Sequence, residues 1–191
     1  MTDERHIQRS GGGIVSRGGE RSSARDIEPG DLTELMRGWR RRWTTGVAIA
    51  TTKANDGALR GITLTAVLPL SLEPPMLAFA IAQDGEFRGI LDGSGRCCVQ
   101  ILDRDHGFVS ERFAGRAPLP DARFTGVPHE MIDDLPVIAG SLAWAAGEID
   151  RMDPAGDHVL VIVRVTSASL GEDTDDPLLS YEGRYRGLEA S

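Results

Sequence analysis

Lysine is almost missing from this chain. Lys53 is the only one, the remaining basic residues are arginines, and acids outnumber bases by 29 to 21 for a net charge of −8. A nucleic-acid groove needs a surplus of Lys and Arg, so no nucleic-acid partner is expected. No apolar run is long enough to cross a bilayer, and the N-terminus lacks the apolar core of a secretory signal. No membrane association is expected. Cysteine is scarce as well. Cys97 and Cys98 are neighbours, and neighbours on a strand point to opposite faces, so no ordinary disulfide joins them. A reducing cytoplasm is the expected setting.

The signatures of self-sufficient catalysis are missing too. No two of His6, His106, His129 and His158 sit at zinc-binding spacing, and there is no Cys-x-x-Cys, so no metal site is expected. There is no Gly-x-Ser-x-Gly elbow and no Walker A loop. These absences speak against a metallohydrolase, a serine hydrolase and an NTPase. An oxidoreductase that takes its chemistry from a bound cofactor stays open.

What is present suits one domain of 191 residues. Residues 1–30 are rich in Gly, Ser, Arg and acids and read as a flexible arm ahead of a domain at 31–191. Gly11-Gly12-Gly13 follows no strand and has the wrong spacing for a dinucleotide fingerprint. Asp31 reads as a helix N-cap. Behind it Leu32, Leu35, Met36, Trp39 and Trp43 fall at helical spacing. Arg37, Arg40, Arg41 and Arg42 lie mostly off that stripe, as a solvated face or a phosphate contact.

From Val47 onward the signals are those of strands: Val47–Thr52, Gly61–Leu68, Met76–Ala82, Cys97–Leu102, Leu142–Ile149 and His158–Val165. Asp56-Gly57 predicts a two-residue type I′ hairpin turn. Short helices are predicted at Glu86–Leu91 and Arg104–Phe113. Many short strands, Gly and Pro turns and few helices predict a mainly β fold, a closed or nearly closed Greek-key-like barrel.

Three segments are distinctive: Thr45-Gly46-Val47-Ala48-Ile49-Ala50-Thr51-Thr52; Arg60-Gly61-Ile62-Thr63-Leu64-Thr65-Ala66-Val67 running on to Ser71-Leu72-Glu73-Pro74-Pro75; and Gly156-Asp157-His158 followed by Pro177 to Tyr185. In this order, from about Leu32 to Leu188, they resemble the flavin-reductase-like family, the reductase components of two-component flavin monooxygenases. The resemblance implies an FMN-binding split β-barrel, paired as a homodimer. It implies hydride transfer from NADH or NADPH to FMN or FAD, with reduced flavin passed to a separate oxygenase. The protein's task is then to hold two rings face to face, and no nucleophile is needed.

Carried over residue by residue, the resemblance places Thr63, Leu64, Thr65, Ala66 and Val67 along the flavin. Ser71 bonds flavin or fixes the turn before Pro74-Pro75. His158 lies near the nicotinamide as the catalytic candidate, or anchors the start of a strand with Asp157 shaping the turn. Tyr185 closes the pocket or packs at a dimer interface.

Several positions depart from the family pattern. Serine is usual at Ala66, an aromatic at Val67, and small hydroxyl residues at Leu68 and Pro69. A Ser-x-Thr that contacts the flavin phosphate is replaced by Gly85 and Phe87. An asparagine is replaced by Gln100 and a glycine by Val163. Each lost hydroxyl removes a hydrogen bond worth on the order of 1 kcal/mol. Either arginines such as Arg60, Arg88 or Arg40 to Arg42 supply charge in their place, or the pocket serves another ligand, other chemistry or a non-catalytic binding role.

Overall fold

The computed structural model describes residues 29–116, 124–171 and 176–188. The expected arm therefore lies outside the described residues, apart from Pro29 and Gly30. The chain divides into two units, Met1–Arg37 and Gly38–Ser191. Helix α1, Pro29–Arg42, crosses the division. Asp31 is not its N-cap: the helix already begins at Pro29, and Asp31 sits inside the first turn. Proline suits that start, because its missing N–H is one the first turn leaves unbonded anyway. Asp31 there opposes the positive end of the helix dipole. In the described part of the first unit, Arg37 pairs with Glu34 one turn back.

The second unit is built on a seven-stranded antiparallel sheet ordered β3-β2-β6-β9-β10-β5-β4. Its strands are β2 Ala48–Lys53, β3 Leu59–Leu64, β4 Val67–Leu72, β5 Pro75–Ala82, β6 Arg96–Ile101, β9 Ala143–Ala155 and β10 His158–Leu170. The two edges, β3 and β4, are consecutive in the chain. Only Thr65 and Ala66 separate them. Three Cα steps span about 11 Å at most, so the sheet must roll until its edges nearly meet. This is the split barrel that the resemblance implied.

Its interior holds Ala50, Leu64, Phe79, Leu91, Cys97, Val161 and Val163, all buried. Helix α2, Glu86–Ser94, plugs one side with Phe87 and Leu91. Helix α3, Gly107–Phe113, follows a 3-10 turn at Arg104–His106 where one continuous helix was expected. The Asp103 carboxylate accepts from the Asp105 N–H, and the His106 ring accepts from the Asp103 N–H. That reciprocal cap closes the first turn on itself.

Outside the barrel, β1 Thr45–Gly46, β11 Leu179–Tyr181 and β12 Arg184–Arg186 form a small sheet, and β7 His129–Ile132 with β8 Leu135–Ile138 forms a hairpin. Cys97 and Cys98 do point to opposite faces, into separate hydrophobic clusters. Both thiols are free, and burial pushes them up to about 12. They carry no thiolate chemistry near neutral pH.

The β2–β3 turn differs from the expected type. Only Gly57 has positive φ, at 83°. The Ala54 carbonyl accepts from Gly57, and Ala54 and Ala58 bond across the neck. This is a three-residue loop, a type I turn closed by a left-handed glycine. Asp56 turns its carboxylate onto the Ala58 N–H, so it stays in the right-handed region and no second positive φ is needed.

Candidate functional site

The rolled sheet leaves a cleft of about 510 Å³ where its edges meet. Its walls come from stretches far apart in sequence: Trp43, Thr45 to Ala48, Thr65 to Pro69, Ala78 to Ala80, Ile101 and Leu160. The walls are apolar apart from Thr45 and Thr65. At the bend, Thr65 and Ala66 stand outside both β ladders, which stop at Leu64 and resume at Val67. The Ala66 carbonyl accepts from the Ala80 N–H at 3.1 Å. A Cβ added at Gly46 would meet no protein atom within 4 Å; the space beside it is open. An apolar slot of this volume with a few polar groups on one rim suits a flat heteroaromatic ring.

The structure brings some of the candidate residues to this cleft and takes others elsewhere. Thr65, Ala66 and Val67 line it. Leu64 is buried in the barrel core. Thr63 donates its hydroxyl to the Ser110 carbonyl at 2.6 Å, tethering β3 to α3. Thr63 and Thr65 also line a smaller cavity of about 150 Å³ with Val47, Arg116, Ser180 and Tyr185. Tyr185 and Ser110 share a hydroxyl–hydroxyl bond of 2.8 Å, and partial burial raises the Tyr185 phenol above its ordinary value. Ser71 sits past a bulge in β4, opposite Met76, and does not line the cleft. Gly85 precedes α2 and lines a different cavity of about 210 Å³, with Arg60, Phe87 and Ile90. Arg88 is exposed on α2.

Gln100 is fully enclosed and faces away from the cleft, as alternation with its cleft-lining neighbour Ile101 requires. Its amide donates to the Thr51 hydroxyl at 2.8 Å and the Pro136 carbonyl at 3.0 Å, and its oxygen accepts from Ile138 N–H at 2.6 Å. It pins the β7–β8 hairpin to the barrel.

His158 opens β10 on the same face as Leu160, which lines the cleft. Its Nδ1 lies 2.7 Å from the Asp157 carboxylate. A carboxylate only accepts, so Nδ1 carries the proton and Nε2 is left for another partner. The His158 bond comes first among the causes that hold the Asp157 carboxyl below its ordinary value, and Arg40 adds a smaller electrostatic pull. Trp43, Gly46, Ile101 and Leu160 were not identified as site residues from sequence. Leu160 had a signal, two residues from His158 on an alternating strand. Gly46 had one in the first distinctive segment; Trp43 and Ile101 had none, because only folding brings them to the cleft.

A rolled antiparallel barrel with an apolar ring slot at its seam and a carboxylate-oriented histidine beside it describes a cofactor-using oxidoreductase of the split-barrel class. The flavin reductase like domain matches residues 40–189, and the chain belongs to that family. It is 33% identical to the NADH:FMN oxidoreductase of Rhodococcus erythropolis over 150 residues, 76% of each chain. It is 32% identical to the reductase component of 4-hydroxyphenylacetate 3-monooxygenase of Thermus thermophilus, over 77% of this chain and 91% of that one. The crystal structure of nitrilotriacetate monooxygenase component B from Mycobacterium thermoresistibile superposes with a TM-score of 0.75 at 32% identity, covering 83% and 89% of the two chains.

Proposed function

We propose that this protein is an NAD(P)H:flavin oxidoreductase that takes hydride from NADH or NADPH onto FMN or FAD and supplies reduced flavin to a partner monooxygenase. The observation that carries the reading is the apolar slot at the barrel seam, in a chain of the flavin-reductase-like family. Flavin, when bound, supplies the hydride acceptor. Thr65, Ala66 and Val67 would lie along the ring edge, with Trp43, Phe79, Ile101 and Leu160 excluding water from its face. The missing hydroxyl at Ala66 leaves the slot open and reduces only the number of hydrogen bonds. Loose binding suits an enzyme whose reduced product must leave. His158 would steady the nicotinamide through Nε2 while Asp157 holds its Nδ1 proton.

The test is NADH and NADPH consumption by the purified protein with and without added FMN and FAD. Consumption that needs flavin supports the reading; none with any pair, by folded protein, sinks it. His158→Ala should lower kcat/KM by about tenfold through lost positioning. Unchanged kinetics would remove the role given to His158.

The same reading places the catalytic domain at residues 31–191, with 1–30 as an arm, and the protein in the cytoplasm, where the free Cys97 and Cys98 stay reduced. It also includes a homodimer. Trp39 and Trp43 stack 5.4 Å apart yet are 56% and 61% exposed, and Leu72 and Leu170 are 92% and 86% exposed. Apolar side chains left this exposed are the surface that a second copy would cover. A single-chain mass at micromolar concentration would rule the dimer out.

No helix among the described residues is long and apolar enough to cross a membrane.

A further inference from the structure

Six of the described arginines are held in ion pairs: Arg37, Arg60, Arg104, Arg116, Arg151 and Arg164 each pair with a carboxylate. Arg41, Arg42 and Arg184 are among those that form no ion pair with a described residue. These three wall one cleft of about 400 Å³, together with Gly38 and Glu182. Arginines at the end of a helix are favoured by its dipole, which accounts for Arg41 and Arg42. It does not account for Arg184, which arrives from near the other end of the chain.

The arrangement is held by backbone. Glu182 and Gly183 form the β11–β12 turn, both with positive φ, at 51° and 73°. Glycine takes that conformation freely, but glutamate pays about 1 kcal/mol for it. The strained turn directs the Glu182 N–H onto the Arg41 carbonyl at 2.8 Å. This bond fastens the last turn of α1 to the hairpin and brings Arg184 beside Arg41 and Arg42. The cleft is walled by three guanidinium groups and one carboxylate, that of Glu182, so its balance of charge is positive and favours an anion.

This cleft and the ring slot are walled by consecutive residues at the end of α1. Arg42 precedes Trp43, which lines the slot. Gly183 and Tyr185, on either side of Arg184, line the small cavity that shares Val47 and Thr65 with the slot, and strand alternation puts Arg184 on the opposite face of the hairpin. A nucleotide carries its phosphate on a sugar chain leading away from the ring, so it needs two neighbouring sites of opposite character. The planar guanidinium fork matches phosphate oxygens.

We propose that Arg41, Arg42 and Arg184 form a binding site for the phosphate monoester of a nucleotide substrate. It would stand in for the hydroxyl contacts missing at Ala66 and Gly85. The proposal rests on the flavin-reductase reading. Two substrates carry such a group: FMN, which riboflavin matches without it, and NADPH, which NADH matches without it.

The experiment measures equilibrium dissociation constants of these four ligands for the full chain, by flavin-fluorescence quenching and calorimetry, without turnover. The variants are Arg184→Ala, Arg184→Lys and the double variant Arg41→Ala/Arg42→Ala. All three positions are exposed, so folding should survive, which circular dichroism checks. Arg184→Ala should weaken FMN or NADPH about tenfold and leave its monoester-free counterpart unchanged, with Arg184→Lys recovering most of the loss. Loss on the FMN arm assigns the site to the flavin; loss on the NADPH arm assigns it to the nicotinamide nucleotide. Equal weakening within each pair, or no change in any ligand, overturns the proposal. If wild-type protein reduces flavin and the arginines have no effect, this proposal alone fails. If it neither binds nor reduces flavin, both readings fail together.

Discussion

Replacing Gly147 with alanine is expected to destabilise the protein by about 3 kcal/mol or more. Gly147 lies on β9 between Cys97 of β6 and Val165 of β10, in the middle of the sheet. An added Cβ would stand 2.1 Å from the Arg164 carbonyl oxygen, 2.8 Å from its carbon and 3.0 Å from Val163 Cγ1. Two of the three are backbone atoms, so no side-chain rotation relieves the overlap. The strands would have to part at the bulge that already interrupts β10 between Val165 and Ser167. A domain of this size has roughly 5–15 kcal/mol of stability in all, so the loss should appear as a large fall in the urea midpoint with little change in slope. Gly89 provides the contrast. It lies in α2 with nothing within 4 Å of an added Cβ, and alanine there should stabilise by up to about 1 kcal/mol. Equal midpoints for Gly147→Ala and wild type would mean that the two strands do not approach as closely as described.

The second large effect is expected at the seam. Ala66→Trp should weaken flavin binding on the order of a hundredfold, about 2.7 kcal/mol, while leaving the fold intact. Ala66 is exposed, sits outside the strand ladders and lines the slot. Its carbonyl bond to the Ala80 N–H does not involve its side chain. An indole there would occupy the space where the ring is proposed to lie, without crowding the core. Flavin titration together with a thermal melt separates the two effects. Wild-type affinity in the variant would move the flavin site away from this slot. Lost affinity with a lowered melting temperature would make the result a folding defect instead.

Much of this architecture was legible in the chain because its signals are local. The apolar run at 76–82 became β5, and helical spacing from Leu32 to Trp43 became α1 with the next residue. Where the reading missed, the deciding interaction joined residues far apart in sequence. The β7–β8 hairpin rests on Asp133 and Asp134, both with positive φ, and on Lys53 of a distant strand, whose ammonium lies 2.7 Å from the Asp134 carboxylate. Gln100 looked like a substituted site residue because its position in the motif matched. The strand's twofold alternation turned it inward, onto Thr51, Pro136 and Ile138.

By itself the sequence determined the family, the mainly β class and the opposed directions of Cys97 and Cys98, but not that the strand expected over Gly61–Leu68 bends at Thr65 and Ala66. These follow from residue order, strand alternation and turn chemistry, each set within a few neighbours. Tertiary structure alone decided which walls face that bend, which candidates leave it for the core, and that Arg184 comes to lie beside Arg41 and Arg42. Those outcomes depend on how the sheet closes and on one backbone hydrogen bond between the two ends of the described chain, and no short stretch of residues encodes either.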